Sequence, residues 1–333
     1  MQENGLTPVL VTGGTGFIGS HLVERLVADG ARVRCLVRSK SSLAFLPVDR
    51  IELVYGDLAS GEGLGEAVEG ARTVYHVAGV TKSTSVDRYY TGNAKATGNL
   101  LAAIEAAREK PFRLVHVSTL AAVGPSEDGV PLTEDAKPRP LTHYGKSKLQ
   151  AEEAVRRSAF ADRAVIVRPP VVYGPRDTDV YLVFRSASRG VALRIGSHES
   201  YFSYIFAEDL AEMLVAAATA HAAAGRTYFA GNPEPASWGQ FNAAVAGLAG
   251  RKIHTLSVPP AMAFTLAFLS EVNSRLRGRE SILSREKVRE GRCRYWVANT
   301  SRAERELHFQ TRTSLEDGIR KTLAGYKNSG WLS

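Results

Sequence analysis

The chain has 333 residues, 44% hydrophobic and 23% charged, which is enough apolar material for an ordinary core and excludes a disordered tail protein. Its two cysteines, Cys35 and Cys293, lie far apart and form no CxxC pair, so neither a disulfide framework nor a metal site is expected, and a reducing cytoplasm fits. The formal net charge is +8, concentrated between Arg275 and Arg294, a density that suits an acidic substrate, an acidic carrier or an anionic membrane surface, with a solvated helix face as the plain alternative.

The predicted elements alternate through the first half. Residues 8–12 read as a short apolar strand. Residues 17–29 read as a helix, with Ile18, Leu22, Val23, Leu26 and Val27 on one face and Gly30 closing it. Strands follow at 33–37, 51–55 and 73–77. An Ala-rich helical stretch spans 91–108, then come a strand at 114–118, a helix at 144–158 and a strand at 164–168. Repeated βα units of this length specify an α/β protein with a Rossmann-type, doubly wound parallel sheet. After Pro169 the rhythm becomes irregular. The expected division is a dinucleotide-binding domain at 1–174, with a return segment at about 202–222 carried by a helix near 208–218. A smaller, interleaved substrate-binding region takes 175–201 and 223–333. The strongest apolar run, 258–269, holds Pro259 and Pro260 and falls short of the ~20 residues of a spanning helix. Residues 1–7 lack the basic start and apolar stretch of a secretory signal. A soluble, cytoplasmic protein is expected.

After the first strand stands Thr12-Gly13-Gly14-Thr15-Gly16-Phe17-Ile18-Gly19. Glycine reaches the positive φ of a tight turn without penalty and lets the backbone approach a pyrophosphate. The following helix offers free N–H groups and partial positive charge to phosphates. Gly13, Thr15, Gly16, Phe17 and Ile18 are therefore candidate dinucleotide-binding residues. The second strand ends Leu36-Val37-Arg38-Ser39-Lys40 with no carboxylate to bond a ribose 2′-hydroxyl. Arg38, with Lys40 beside it, suits a 2′-phosphate, so NADP(H) is preferred and NAD(H) stays open.

Tyr144 and Lys148 are four residues apart and share one helix face. A free phenol has a pKa of about 10, and a nearby ammonium favours its ionised form. Thr119 follows the fifth strand, where strand ends line the ligand crevice, and offers a hydroxyl to a substrate oxygen. Ser118 is its rival, but adjacent strand residues point to opposite faces. The plain alternative for the Tyr/Lys pair is an ordinary amphipathic helix.

Across nearly its whole length the sequence resembles the extended short-chain dehydrogenase/reductases, in the dihydroflavonol reductase and 3β-hydroxysteroid dehydrogenase branch. The motifs are the 12–19 turn, Gly56-Asp57-Leu58, His76-Val77-Ala78-Gly79, Asn93, Ser118-Thr119, Tyr144 with Lys148, and the run from Arg168 to Pro175. The resemblance implies that Asp57 and Leu58 lie by the adenine, Ala78 and Gly79 by the ribose and pyrophosphate, and Pro170, Val171 and Val172 by the nicotinamide. It implies that Thr119, Tyr144 and Lys148 are the catalytic set, and that the chain dimerises through the helices containing Asn93 and Tyr144. Two departures point away from nucleotide sugars. Val171 and Phe202 stand where such members carry Asn and Arg, which would leave a diphosphate unpaired.

The expected activity is NADP(H)-dependent interconversion of a ketone or aldehyde and an alcohol on an apolar small molecule. A nucleotide-sugar epimerase or dehydratase and a non-catalytic NADP-sensing regulator are the rivals. No nucleic-acid partner is expected. The apolar run followed by the basic segment suits transient contact with a membrane surface or an acyl carrier. His76 and His143 are expected to shape loops, His116 to be buried and neutral, and Asn93 to be a structural hydrogen-bonder. Tyr201, Phe202, Tyr204 and Phe184 line either the substrate pocket or a core.

Overall fold

Side chains of a strand point alternately to opposite faces, so a parallel strand covered on both sides must be apolar at nearly every position. The computed structural model, which describes residues 8–276 and 284–332, places such strands in its central layer. Residues 1–7, and Arg277, Arg279 and Glu280 of the basic segment, lie outside the described residues, as does the side chain of Arg275.

Among the described residues the strands are β1 (Val9–Thr12), β2 (Val33–Val37), β3 (Glu52–Tyr55), β4 (Thr73–His76), β5 (Arg113–Val117), β6 (Ala164–Arg168) and β7 (Val171–Tyr173). They continue with β8 (Val191–Ile195), β9 (Tyr201–Phe202), β10 (Tyr204–Phe206), β11 (Thr227–Phe229), β12 (Ala236–Ser237), β13 (His254–Val258) and β14 (Tyr295–Trp296). The α-helices are α1 (Phe17–Ala28), α2 (Leu64–Val68), α3 (Val86–Tyr89), α4 (Ala96–Ala106), α5 (His143–Arg157) and α6 (Tyr181–Ala187). They are followed by α7 (Ala207–Thr219), α8 (Trp238–Leu248), α9 (Pro260–Leu276), α10 (Arg285–Arg292), α11 (Ser301–Leu307) and α12 (Leu315–Asn328).

Seven strands form one parallel sheet in the order β11-β6-β5-β4-β1-β2-β3. Val9 pairs with Val33 on one side and Thr73 on the other, so the strand order reverses around β1. Ligands of open α/β sheets bind beyond the carboxyl ends of the strands at such a reversal. Alternation splits the core in two. Val11, Cys35, Val37, Val115 and Val165 lie under α1 and α7, with Leu22, Leu210 and Leu214 above them. Leu10, Leu36, Val74, Leu114 and Ile166 face the other way, against Leu64, Leu100, Ile104 and Val155 of α2, α4 and α5. Each fully buried leucine contributes about 1.5–3 kcal/mol of transfer free energy.

The expected return helix is α7, packed beside α1. The seventh strand, β11, lies beyond the expected end of the return segment near 222, and Ala303 and Leu307 of α11 join the core beneath α7. The helix expected at 91–108 differs from expectation. The chain turns helical at Val86, winds as a π-helix over Tyr90–Lys95, and becomes α-helical only from Ala96. The wider turn carries Asn93 inward, where its amide bonds Val80 and Ser147.

A second core gathers the aromatics after β7. Phe202 stacks on Trp238 at 4.1 Å, and Tyr173, Phe184 and Phe241 meet edge to face. Phe184, Phe202 and Tyr204 are thus core residues. Tyr201 is exposed and stacks on Tyr295. A third, small cluster joins Ala263 and Ala267 of α9 to Val288 of α10. No helix of the described residues is long and apolar enough to cross a membrane.

Candidate active site

The glycine turn sits at the reversal point. Gly13 has φ +74°, and a Cβ there would lie 2.6 Å from the backbone nitrogen of Ala78. A Cβ on Gly19 would collide with the Gly13 carbonyl, so the third glycine lets α1 start directly beneath the turn. Gly16 caps α1 without a side-chain hydrogen bond, and the first turn of α1 has no acidic residue. Its N–H groups therefore keep both donors and partial charge for an anion. Thr15, Phe17 and Ile18 are half-buried around it. This cradle fits the pyrophosphate of a nicotinamide dinucleotide.

The other expected binding residues ring the same strand ends. Arg38 and Lys40 are exposed just past β2. The Asp57 carboxylate accepts from Ala59 N–H at 2.6 Å, and Asn99 holds the carbonyl of Leu58 at 2.8 Å, which fixes the loop after β3. Ala78 N–H reaches the Thr12 hydroxyl at 3.4 Å. A Cβ on Gly79 would sit 3.7 Å from the Lys148 ammonium, so the loop after β4 and the Tyr/Lys helix meet there. Pro170, Val171 and Val172 are half-buried after β6, and Pro169 accepts from Leu120 N–H at 2.8 Å.

Thr119, Tyr144 and Lys148 come together from two elements. Thr119 stands two residues beyond β5 and caps the short turn that follows, accepting from Ala121 N–H. Thr142 caps α5 through Gly145 N–H, which fixes Tyr144 in the first turn. Burial pushes the Tyr144 phenol above its ordinary value, opposed by the neighbouring Thr119 hydroxyl. Lys148 donates to the Val117 carbonyl at 2.6 Å. Burial lowers its pKa to about 8, opposed by Glu152 one helical turn on. The Lys148 ammonium is thus committed to the Val117 carbonyl, while Thr119 is the neighbour that opposes burial at the phenol.

Ser118 points the other way, as alternation requires, and donates to Glu152 at 2.5 Å. Glu152 is buried and takes two hydrogen bonds from Arg168, at 2.9 and 2.7 Å, and one from Arg156. Burial alone would raise the Glu152 pKa, but Arg168 and Ser118 hold it below the ordinary carboxylate value. Sequence inspection did not single out Glu152. An outward-looking helix glutamate carries no signal of burial, although its spacing from Lys148 places both on one face.

The histidines behave as structural groups. His76 bonds the hydroxyls of Thr12 and Thr97, and burial lowers its pKa to about 3. His116 is buried beside it with both ring nitrogens unpartnered, and burial, with Lys148 nearby, holds its pKa well below the usual value. His143 contacts the Tyr90 hydroxyl at 3.1 Å.

Tyr144 opens on a cleft of about 310 Å³ between the loop after β4, the start of α5, and helices α9 and α10. α10 reaches across with two carboxylates. Glu286 accepts from His143 N–H at 2.8 Å, and Glu290 from the Thr142 hydroxyl at 3.2 Å. Burial raises the Glu290 pKa. Neither glutamate was a sequence candidate, because both lie in the charged run.

Residues 9–231 match the model of the NAD dependent epimerase/dehydratase family. A ceramide reductase of Caulobacter vibrioides is 32% identical over 97% of this chain and 96% of its own. A 2-alkyl-3-oxoalkanoate reductase of Shewanella oneidensis is 27% identical over 94% of this chain and 85% of its own. The structure of MoeE5 in complex with UDP-glucose and NAD superposes with a TM-score of 0.76 at 26% identity, over 97% of this chain and 99% of that one.

Proposed function

Since the chain belongs to the NAD dependent epimerase/dehydratase family, we propose that it is an NADP(H)-dependent reductase of an apolar ketone or aldehyde, running to the alcohol. The observation that carries this is the gathering of Thr119, Tyr144 and Lys148 from the end of β5 and the start of α5, with Tyr144 opening on the cleft. When bound, a nicotinamide dinucleotide exchanges hydride with the substrate carbon. Thr119 orients the substrate oxygen. Tyr144 moves the proton at that oxygen, and burial, by raising its pKa, favours the protonated phenol that donates in reduction. Lys148, buried against Gly79, supplies positive charge and a donor to a ribose hydroxyl. The names of the two reductase relatives support a carbonyl reaction on long apolar molecules. Burial of Phe202 in the aromatic core and the apolar Val171 support the same choice over a sugar nucleotide, since neither offers a cation to a diphosphate.

Tyr144→Phe tests the mechanism. Turnover of a ketone followed by NADPH absorbance should fall by a factor of about 10² to 10⁴. NADPH binding, followed by quenching of protein fluorescence, should stay close to wild type. Full activity in the variant would remove Tyr144 from the chemistry.

A further inference from the structure

The redox site leaves one large feature unused, the outer face of α9 and α10. On α9, Met262, Leu266 and Leu269 recur at i, i+4 and i+7, and Leu266 and Leu269 are 50% and 55% exposed. Phe268 and Val272 flank them and are also exposed. The β8–β13 ribbon, packed on the inner side of the α9–α10 pair, adds further exposed apolar residues. Leu193 and Leu256 are paired neighbours there and are both exposed. The same ribbon side reaches the α9 cluster through Ile195 and Val258. Exposed apolar side chains this numerous and contiguous mark a contact surface.

The charged side chains of α10 differ in their partners. Glu286 and Glu290 turn inward onto the start of α5, and Val288 is buried against α9. Arg285, Arg289 and Arg292, again at i, i+4 and i+7, stay exposed, Arg285 while also paired with Glu271 at 2.9 Å. Two of these arginines border the apolar face directly. The Arg285 guanidinium lies 5.4 Å over the Phe268 ring, and that of Arg292 5.7 Å over Phe264. An apolar stripe edged by cations is the pattern of a helix lying in a lipid–water interface, with apolar side chains among the acyl chains and cations at anionic headgroups. A second copy of the chain fits less well, because a symmetric contact would bring both sets of arginines together.

We propose that the outer face of α9 and α10, with the adjoining β8–β13 ribbon, docks on an anionic phospholipid bilayer. Glu271, Arg285 and Arg289 line the Tyr144 cleft from these same helices, so docking sets the cleft mouth at the lipid surface. The inference stands apart from the redox proposal, since binding is read without turnover.

The experiment is co-sedimentation of the full chain with vesicles of equal parts phosphatidylglycerol and phosphatidylcholine, and with vesicles of phosphatidylcholine alone. Wild type should bind the anionic vesicles, with binding weakened about tenfold or more as salt rises from about 0.1 M to about 0.5 M. Leu266→Glu with Leu269→Glu should weaken binding by roughly tenfold for each leucine replaced, as expected when an inserted apolar side chain becomes charged. The double variant should keep the wild-type melting temperature and, on a short water-soluble ketone, the wild-type rate. No binding by wild type, equal binding to both compositions, or undiminished binding by a folded double variant overturns the proposal. So does a wild-type dimer that the double variant turns into a monomer, which would give the face to a second copy.

Discussion

Thr119 and Ser118 leave β5 side by side and serve different ends, one at the phenol and one at a buried ion pair. That separation was legible in the sequence, because adjacent strand residues must point to opposite faces. Tyr144, Lys148 and the glycine turn were legible for a similar reason, since each depends on local spacing. Glu152, Glu286 and Glu290 were not. Their meaning comes from partners 16 to 148 residues away, such as Arg168 and Thr142, and charged helix residues otherwise look solvated. The proposed preference for NADP(H) rests on Arg38. It is exposed just past β2, where on that proposal it would meet a 2′-phosphate. Arg38→Ala should raise the KM for NADPH by roughly tenfold to a hundredfold, the scale of one lost charge-assisted bond, and leave that for NADH nearly unchanged. Equal effects on both cofactors would show that Arg38 does not select between them.

At the scale of elements, the bounds of the strands expected up to residue 168 follow the sequence to within a residue or so, because apolar runs between turns leave little freedom, whereas β7 to β14 were not expected as strands. The π-helix at Tyr90–Lys95 was not legible, since a widened turn changes the hydrogen-bond pattern without changing the composition. The aromatics of the second core were ambiguous for another reason, because a pocket and a core call for the same side chains. How α5 is held against the sheet is a matter of charge. Glu152 ties it to Ser118 at the end of β5 and to Arg168 at the end of β6, all buried. Glu152→Ala strands the Arg168 guanidinium without a counter-charge and should cost about 3–5 kcal/mol in urea unfolding. Glu152→Gln, which keeps part of the hydrogen bonding, should cost less. A loss below about 1 kcal/mol for the alanine variant would mean that Arg168 finds another partner.

For the whole molecule, His76 and His116 make stability depend on pH. Both have folded pKa values depressed below 6.5, chiefly by burial. Below pH 6.5 the unfolded chain therefore binds protons that the folded chain refuses. The stability they contribute is complete above 6.5 and is lost as pH falls toward the folded values, about 3 for His76. Each histidine gives a slope of about 1.4 kcal/mol per pH unit in that window. Replacing His116 by leucine should remove its share, so the stability difference between pH 7.5 and pH 5 should shrink by about 2 kcal/mol. An unchanged pH dependence would place the titration elsewhere. The sheet itself has a consequence for how the chain comes to be. Its edge strand β11 and the core residues Ala303 and Leu307 arrive late in synthesis, while β1 and α1 are made first. A nascent chain ending near residue 174 cannot close the layer over Val115 and Val165, because α7 has not yet been made. Until the residues that follow are made, the apolar strand surface beneath α7 is therefore open to water, the condition that makes a partly made chain prone to aggregate.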